Sequence, residues 1–231
     1  MVNKVSVIIP TYEMGDKGVE MLTKGSFKQL KLQKFKDFEV VISDDSKDDV
    51  IKKYVEETKD LNIKYFKNEG KSGIAGNMNN AIKNATGEII QIMCQDDFFY
   101  NQYSLQKIVD NFDYKKGWMV SMYMHTKDRL GLFKQQIPEW NDKIYFDNSI
   151  GTPSCLSFLN DDPPLLDENL KWYVDCEHYY RLYKKWGLPK ILKELVFVQL
   201  LWEGQSTQGV TQELINTEMA YIKNKYLGEI V

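Results

Sequence analysis

Asp96 and Asp97 stand side by side just after the apolar run Glu88 to Met93 (EIIQIM). Two adjacent carboxylates make a hard-oxygen site for Mn2+ or Mg2+. A cation held there can bridge two phosphate oxygens and act as a Lewis acid on a departing nucleoside diphosphate. The alternative reading is a solvated acidic turn, and the pair alone does not decide between them. A second acidic cluster, Ser43-Asp44-Asp45-Ser46, ends the run Phe38 to Ile42. A polar Thr11-Tyr12-Glu13 follows the run Lys4 to Ile9. Much later comes Val174-Asp175-Cys176-Glu177-His178-Tyr179-Tyr180-Arg181, with no breaker before Gly187. An acid in a first helical turn is favoured by the helix dipole alone.

Other phosphate chemistries lack their residues. The first apolar run leads into PTYEMGDKG, whose glycine spacing is wrong for a dinucleotide fingerprint. Gly70-Lys71-Ser72 lacks the upstream glycine of a P-loop, because Tyr65 stands there. The three cysteines, Cys94, Cys155 and Cys176, are far apart and odd in number, which reads as reduced thiols in a cytoplasmic protein. His125 reads as a surface or packed histidine.

The elements that must position these acids can be read from the apolar pattern. Strands are expected at 4–9, 38–42, 63–66 and 88–93, and helices at 17–32, 48–58 and 73–84. That alternation predicts an α/β fold with a mostly parallel sheet flanked by helices. Ligands bind such sheets at the carboxyl ends of the strands, which is where the three polar clusters fall. The second half reads as helix 101–112, strand 118–124, an irregular excursion 127–148, helix 174–186, strand 191–200 and a final helix near 210–226. The whole chain is expected to form one domain of two halves, 1–97 and 98–231.

Bulk properties narrow the partners. Acids are interleaved with the lysines and the net charge is −3, so nucleic acid is not an expected partner. Aromatic residues make up 13% of the chain, which suits a well-filled core first and a stacking surface second. The N-terminal run is too short for a signal peptide, and no stretch reaches the length of a membrane-spanning helix. A soluble, cytoplasmic protein is expected, with a peripheral role at a membrane left open.

The order VSVIIPTY, SDDS, NEGKSGIAGNMNNAIKNATGEII and QDDF resembles the inverting glycosyltransferases of family 2, which have the GT-A fold. The resemblance is dense over about the first hundred residues. It thins through Gly151-Thr152-Pro153-Ser154 and Asp175 to Arg181. It implies a nucleotide-sugar donor, most simply a UDP-sugar, and a saccharide, lipid-linked or protein acceptor. It implies that Thr11, Tyr12 and Glu13 line the base and ribose pocket and that Asp45 accepts a hydrogen bond from the base. Asp96 would bind ribose or a metal-bound water, and Asp97 would be the direct ligand of Mn2+ or Mg2+. The segment Gly73 to Asn77 would lie against base and diphosphate, with Gly76 permitting close backbone approach; helix–sheet packing is the competing reading of both glycines. Asp175 matches the catalytic base, with Glu177 and His178 behind it, and Arg181 is expected to pair with an acid.

The chain departs from the family pattern in places. Glu13 stands where many members have Asn, and Cys94 where many have a further Asp. Asn77-Met78-Asn79 carries no Arg, and Trp202 to Gln208 carries no His. A third contact to metal or diphosphate is therefore sought in Glu203, Gln205 or Gln208. Trp172-Tyr173 and Trp202 could stack on a sugar or pack in the core. The competing functions are a nucleotidyltransferase, for which Pro10-Thr11-Tyr12-Glu13 supplies no glycine-rich basic loop, and a catalytically silent carbohydrate-binding protein of the same fold.

Overall fold

The computed structural model describes residues 4–205 and 209–226; Gln208 therefore lies outside the described residues. The first half follows the expected alternation. Strand β1 (Val5–Thr11) leads through a 3-10 turn into helix α1 (Gly18–Met21), a π turn (Leu22–Ser26) and helix α2 (Phe27–Leu32). Then come β2 (Phe38–Asp44), α3 (Val50–Glu57), β3 (Ile63–Lys67), α4 (Ile74–Asn84) and β4 (Ile89–Ile92). Every residue of β1 and β2 is buried, which is why these strands read as apolar runs rather than alternating ones.

The second half holds β5 (Phe98–Phe99), α5 (Ser104–Asn111), β6 (Trp118–Thr126), β7 (Leu132–Gln136), β8 (Leu156–Leu159), α6 (Val174–Trp186), β9 (Lys190–Leu200) and α7 (Gln212–Lys225). Three of these strands lie outside the sequence expectation. β5 and β8 are too short to show a period. β7 is exposed along most of its length and sits inside the stretch read as irregular.

Among the described residues the strands form one sheet in the order β3-β2-β1-β4-β8-β6-β9-β5, with β7 on β6. β8 is antiparallel to both β4 and β6, while β6 and β9 are parallel. Consequently β3, β2, β1, β4, β6 and β9 all run one way, and β5, β7 and β8 run against them. The carboxyl ends of β1, β2, β4, β6 and β9 share one edge. The core is continuous across both halves and includes Trp118, Tyr179, Phe27, Phe99, Phe158 and Phe197, all essentially fully buried. Trp118 stacks on Tyr179 and Tyr123 on Phe197, so much of the aromatic content fills the interior. No helix among the described residues is long and apolar enough to cross a membrane.

Candidate active site

Backbone and amide contacts tie the polar strand ends together. The Asp45 amide donates to Thr11 O at 3.0 Å, joining the ends of β2 and β1. The Tyr12 amide donates to Gln95 Oε1 at 2.8 Å, and Gln95 Nε2 donates to Gly18 O at 2.8 Å. Gln95 thus clamps the turn after β1 to the turn after β4. Tyr12 is 43% exposed, and its hydroxyl is hydrogen-bonded to Glu13, which raises the phenol pKa. Glu13 Oε2 also accepts the Lys47 amide at 3.1 Å, so loops from β1 and β2 form one wall.

Several expected ligand contacts lie beneath the site rather than on its face. Thr11 is buried, and its hydroxyl faces Ser43 O and Asp44 Oδ1. Asn77 is buried as well. Its Oδ1 accepts from Ser43 Oγ at 2.6 Å and its Nδ2 donates to Thr11 O at 2.9 Å. Both ends of this amide are used to fasten α4 to β1 and β2, leaving it no face toward a diphosphate. Asp45 Oδ1 accepts from Asn68 Nδ2 at 2.8 Å, and Oδ2 from Ser72 Oγ at 2.7 Å and the Gly73 amide at 2.8 Å. Three of roughly four carboxylate acceptor positions are thereby taken, and one remains for a base. Gly73 sits at φ 109, a left-handed region reserved for glycine, and this turns its amide onto Asp45. At Gly76 a Cβ would lie 1.8 Å from Lys71 O. The close approach there is therefore to the chain's own preceding loop, not to a ligand.

The acid pair is held from three directions. Asp97 is 1% exposed. Its Oδ2 accepts from Ser154 Oγ at 2.6 Å and Thr152 Oγ1 at 3.4 Å, and its Oδ1 from the Leu200 amide at 3.2 Å. Asp96 is half-buried, and its Oδ2 accepts from Trp202 Nε1 at 2.8 Å. Burial pushes both carboxyl pKa values up, Asp97 well above the usual range, with the Asp96 charge adding to the effect on Asp97. Trp202 is thus tied to the acid pair through its indole N–H. It caps an acid, with Lys17 Nζ 5.0 Å from its ring centre.

These residues suit a divalent cation in one specific sense. Asp97 is withdrawn from water and Asp96 is half-buried beside it, neither has an ion-pair partner among the described residues, and a cation would offset that cost. Among the described residues no group of three or more His, Cys, Asp or Glu side chains could hold a metal by itself. Asp96 is the more open acid, since the Asp97 oxygens already accept three donors. Mg2+ and Mn2+ in nucleotide sites commonly take one or two carboxylates and complete their shells with phosphate and water.

Asp175 stands in the first turn of α6, partly exposed, and has no hydrogen-bond or ion-pair partner among the described residues. Burial alone raises its pKa to about 7. Cys94, itself pushed up by burial, also feels the charges of Asp97, Asp96 and Asp175. The three acids therefore share one neighbourhood around Cys94. The two rival bases are occupied elsewhere. Glu177 is fully buried, and its Oε1 accepts from Lys225 Nζ at 2.6 Å and Tyr226 Oη at 2.5 Å, with Arg181 Nε at 3.7 Å. His178 is buried with Nε2 2.9 Å from Pro164 O, and burial lowers its pKa to about 4. His125 is likewise packed, with Nδ1 2.8 Å from Lys134 O.

The family model described as "Glycosyl transferase family 2" matches residues 6–158, more than half of the chain. The chain belongs to glycosyl transferase family 2. Within this family 2 chain the fold is GT-A. Over 98% of its length it superposes on S. aureus TarS 1–349 in complex with UDP-GlcNAc, with a TM-score of 0.72, at 22% identity and covering 68% of that chain. A mannosyltransferase from Pyrobaculum calidifontis in complex with GDP-Man and Mn2+ superposes with a TM-score of 0.60 at 16% identity, over 88% of this chain and 58% of that one. In sequence, a GalNAc(5)-diNAcBac-PP-undecaprenol beta-1,3-glucosyltransferase of Campylobacter jejuni is 37% identical over 97 residues, 41% of this chain and 30% of that protein. An uncharacterised glycosyltransferase of Rickettsia conorii is 41% identical over 100 residues, 42% of this chain and 15% of that protein.

Gln95, Thr152 and Ser154 stood in family 2 motifs without a role assigned to them, and Glu218 escaped sequence reasoning altogether. Glu218 of α7 is 3% exposed and accepts the amides of Lys171 at 2.7 Å, Trp172 at 3.0 Å and Tyr173 at 3.0 Å. It fixes the chain just before Asp175. The signal for it was present: an acid on the apolar stripe of a helix, between Ile215 and Ile222. Of the proposed substitutes for a third contact, Gln205 Nε2 donates to Leu200 O at 2.9 Å, and Glu203 is exposed.

Proposed function

We propose that this chain transfers a sugar from a nucleoside diphosphate donor to an acceptor hydroxyl with inversion at the anomeric carbon. The observation that carries the proposal is Asp175. It is a carboxylate with no hydrogen-bond or ion-pair partner among the described residues and a pKa of about 7, and its charge reaches Cys94 as do those of Asp96 and Asp97. Such a group is tuned to accept a proton near neutral pH. The acceptor oxygen attacks the anomeric carbon, Asp175 Oδ takes the hydroxyl proton, and the bond from the anomeric carbon to the diphosphate oxygen breaks. The nucleoside diphosphate leaves with the bonding electrons.

Asp96, with Asp97 behind it, would hold Mn2+ or Mg2+. When bound, such a cation supplies charge neutralisation for the leaving diphosphate. Tyr12 and Glu13 form the wall beside the base, and Asp45 retains one acceptor position for a base N–H. The ring of Trp172, 37% exposed three residues before Asp175, offers a stacking face for the acceptor sugar. A UDP-sugar donor is supported by the likeness to TarS, whose structure holds UDP-GlcNAc. A lipid-linked acceptor is supported by the Campylobacter relative, whose named substrate is a polyprenol diphosphate glycan.

A screen of nucleotide sugars for Mn2+-dependent hydrolysis tests this reading without knowledge of the acceptor. One donor should be hydrolysed, and Asp96→Asn should bind it more weakly in Mn2+. Hydrolysis of none, together with no metal-dependent nucleotide binding by calorimetry, would favour a silent carbohydrate-binding protein.

A further inference from the structure

Arg129 follows β6 and so emerges at the same edge as Asp96 and Trp202; the Leu201 amide donates to Thr126 O at 2.8 Å. A tight turn aims it. Thr126 Oγ1 accepts the Arg129 amide at 3.0 Å, and Asp128 Oδ1 accepts the amides of Leu130 and Gly131, each at 2.9 Å. The turn holds Arg129 at φ 64, a left-handed conformation that is unfavourable for residues with a Cβ other than Asn and Asp.

The guanidinium gains little from the protein in return. Its Nη2 lies 2.8 Å from Met21 Sδ, and a thioether is a weak acceptor. Its Nε is buried and has no hydrogen-bond partner. No carboxylate among the described residues forms an ion pair with it, although its positive charge reaches Asp96 and Glu20. A strained backbone, an orphaned buried donor and a planar cation unmatched by any acid converge at the rim of the acid pair. An arginine fork of this kind fits phosphate oxygens. Lys17, another cation near this rim, is placed over the Trp202 ring.

We propose that Arg129 binds the diphosphate of the donor through its guanidinium N–H groups. It would supply the cationic contact that 77–79 and 202–208 lack in sequence. The inference rests on the donor reading above. Arg129→Asn removes the charge while tolerating the left-handed backbone, and Arg129→Lys keeps the charge without the fork.

Titration calorimetry in Mn2+ would compare UDP with uridine and GDP with guanosine for each protein. Arg129→Asn should weaken the bound nucleoside diphosphate about tenfold or more, Arg129→Lys should weaken it less, and nucleoside binding should stay unchanged. Equal diphosphate affinity in wild type and Arg129→Asn overturns the inference and leaves the donor reading standing. Equal loss for nucleoside and nucleoside diphosphate also overturns it, since that would mark a structural role. A wild-type protein that binds neither UDP nor GDP removes the donor reading, and this inference with it.

Discussion

Ser154 Oγ donates to Asp97 Oδ2 at 2.6 Å while accepting the Cys94 amide at 2.9 Å. One hydroxyl therefore fixes both the acid and the backbone two residues before the acid pair. Ser154 is fully buried, so no water can replace it without rearrangement. Ser154→Ala should lower unfolding stability by about 1–3 kcal/mol, the cost of leaving a buried polar group unmatched. Urea denaturation measures this directly, and a change within error would mean that Asp97 finds another donor.

The burial that raises the Asp175 pKa comes at the expense of stability. The folded pKa of about 7 lies above the ordinary carboxyl value. The folded state therefore holds the proton more tightly, and this group lowers stability as pH rises from about 4 through about 7. Asp175→Asn should raise Tm at pH 8 by about 2–4 °C, with a smaller gain at pH 5, while abolishing transfer and keeping donor affinity. Full transfer activity in this variant would remove Asp175 as the base.

The same value sets the pH dependence of turnover. If Asp175 must be deprotonated to act, kcat/KM should fall about tenfold per pH unit below about 7 and level off above it. A profile flat from pH 5 to 9, measured with a saturating metal ion, would contradict that role.

Gly76 carries a prediction that does not depend on the chemistry. A Cβ there would lie 1.8 Å from Lys71 O and 2.8 Å from Lys71 C, and these are backbone atoms that cannot swing aside. Gly76→Ala should destabilise the fold by about 3 kcal/mol or more, despite the gain in helix propensity. It should also disturb the Ser72 and Gly73 contacts to Asp45. Thermal melting with UDP titration would read both effects.

The architecture of the first half was legible because its signals are local. Val5–Thr11 and Phe38–Asp44 are buried on both faces, so they appear as unbroken apolar runs. Polar residues just beyond such runs must lie at the carboxyl edge of a parallel sheet. That placed Thr11, Asp45 and Asp96 together, and the same logic put Asp175 at a helix start.

Only the tertiary structure decided which of these groups remain available to a ligand. Asn77 and Thr11 turned inward, Asp45 accepted three donors, Asp97 was enclosed by Thr152, Ser154 and Leu200, and Glu177 and His178 were taken up away from the site. Short strand β8 entered between β4 and β6 and brought the Gly151 to Ser154 segment under the acid pair. The contacts responsible join residues far apart in the chain, 57 positions for Ser154 and Asp97 and 106 for Trp202 and Asp96. Periodicity registers whether a side chain faces the core, because that depends on neighbours three or four positions away. It holds no record of which distant donor will meet a given oxygen, since that pairing exists only once the sheet has closed.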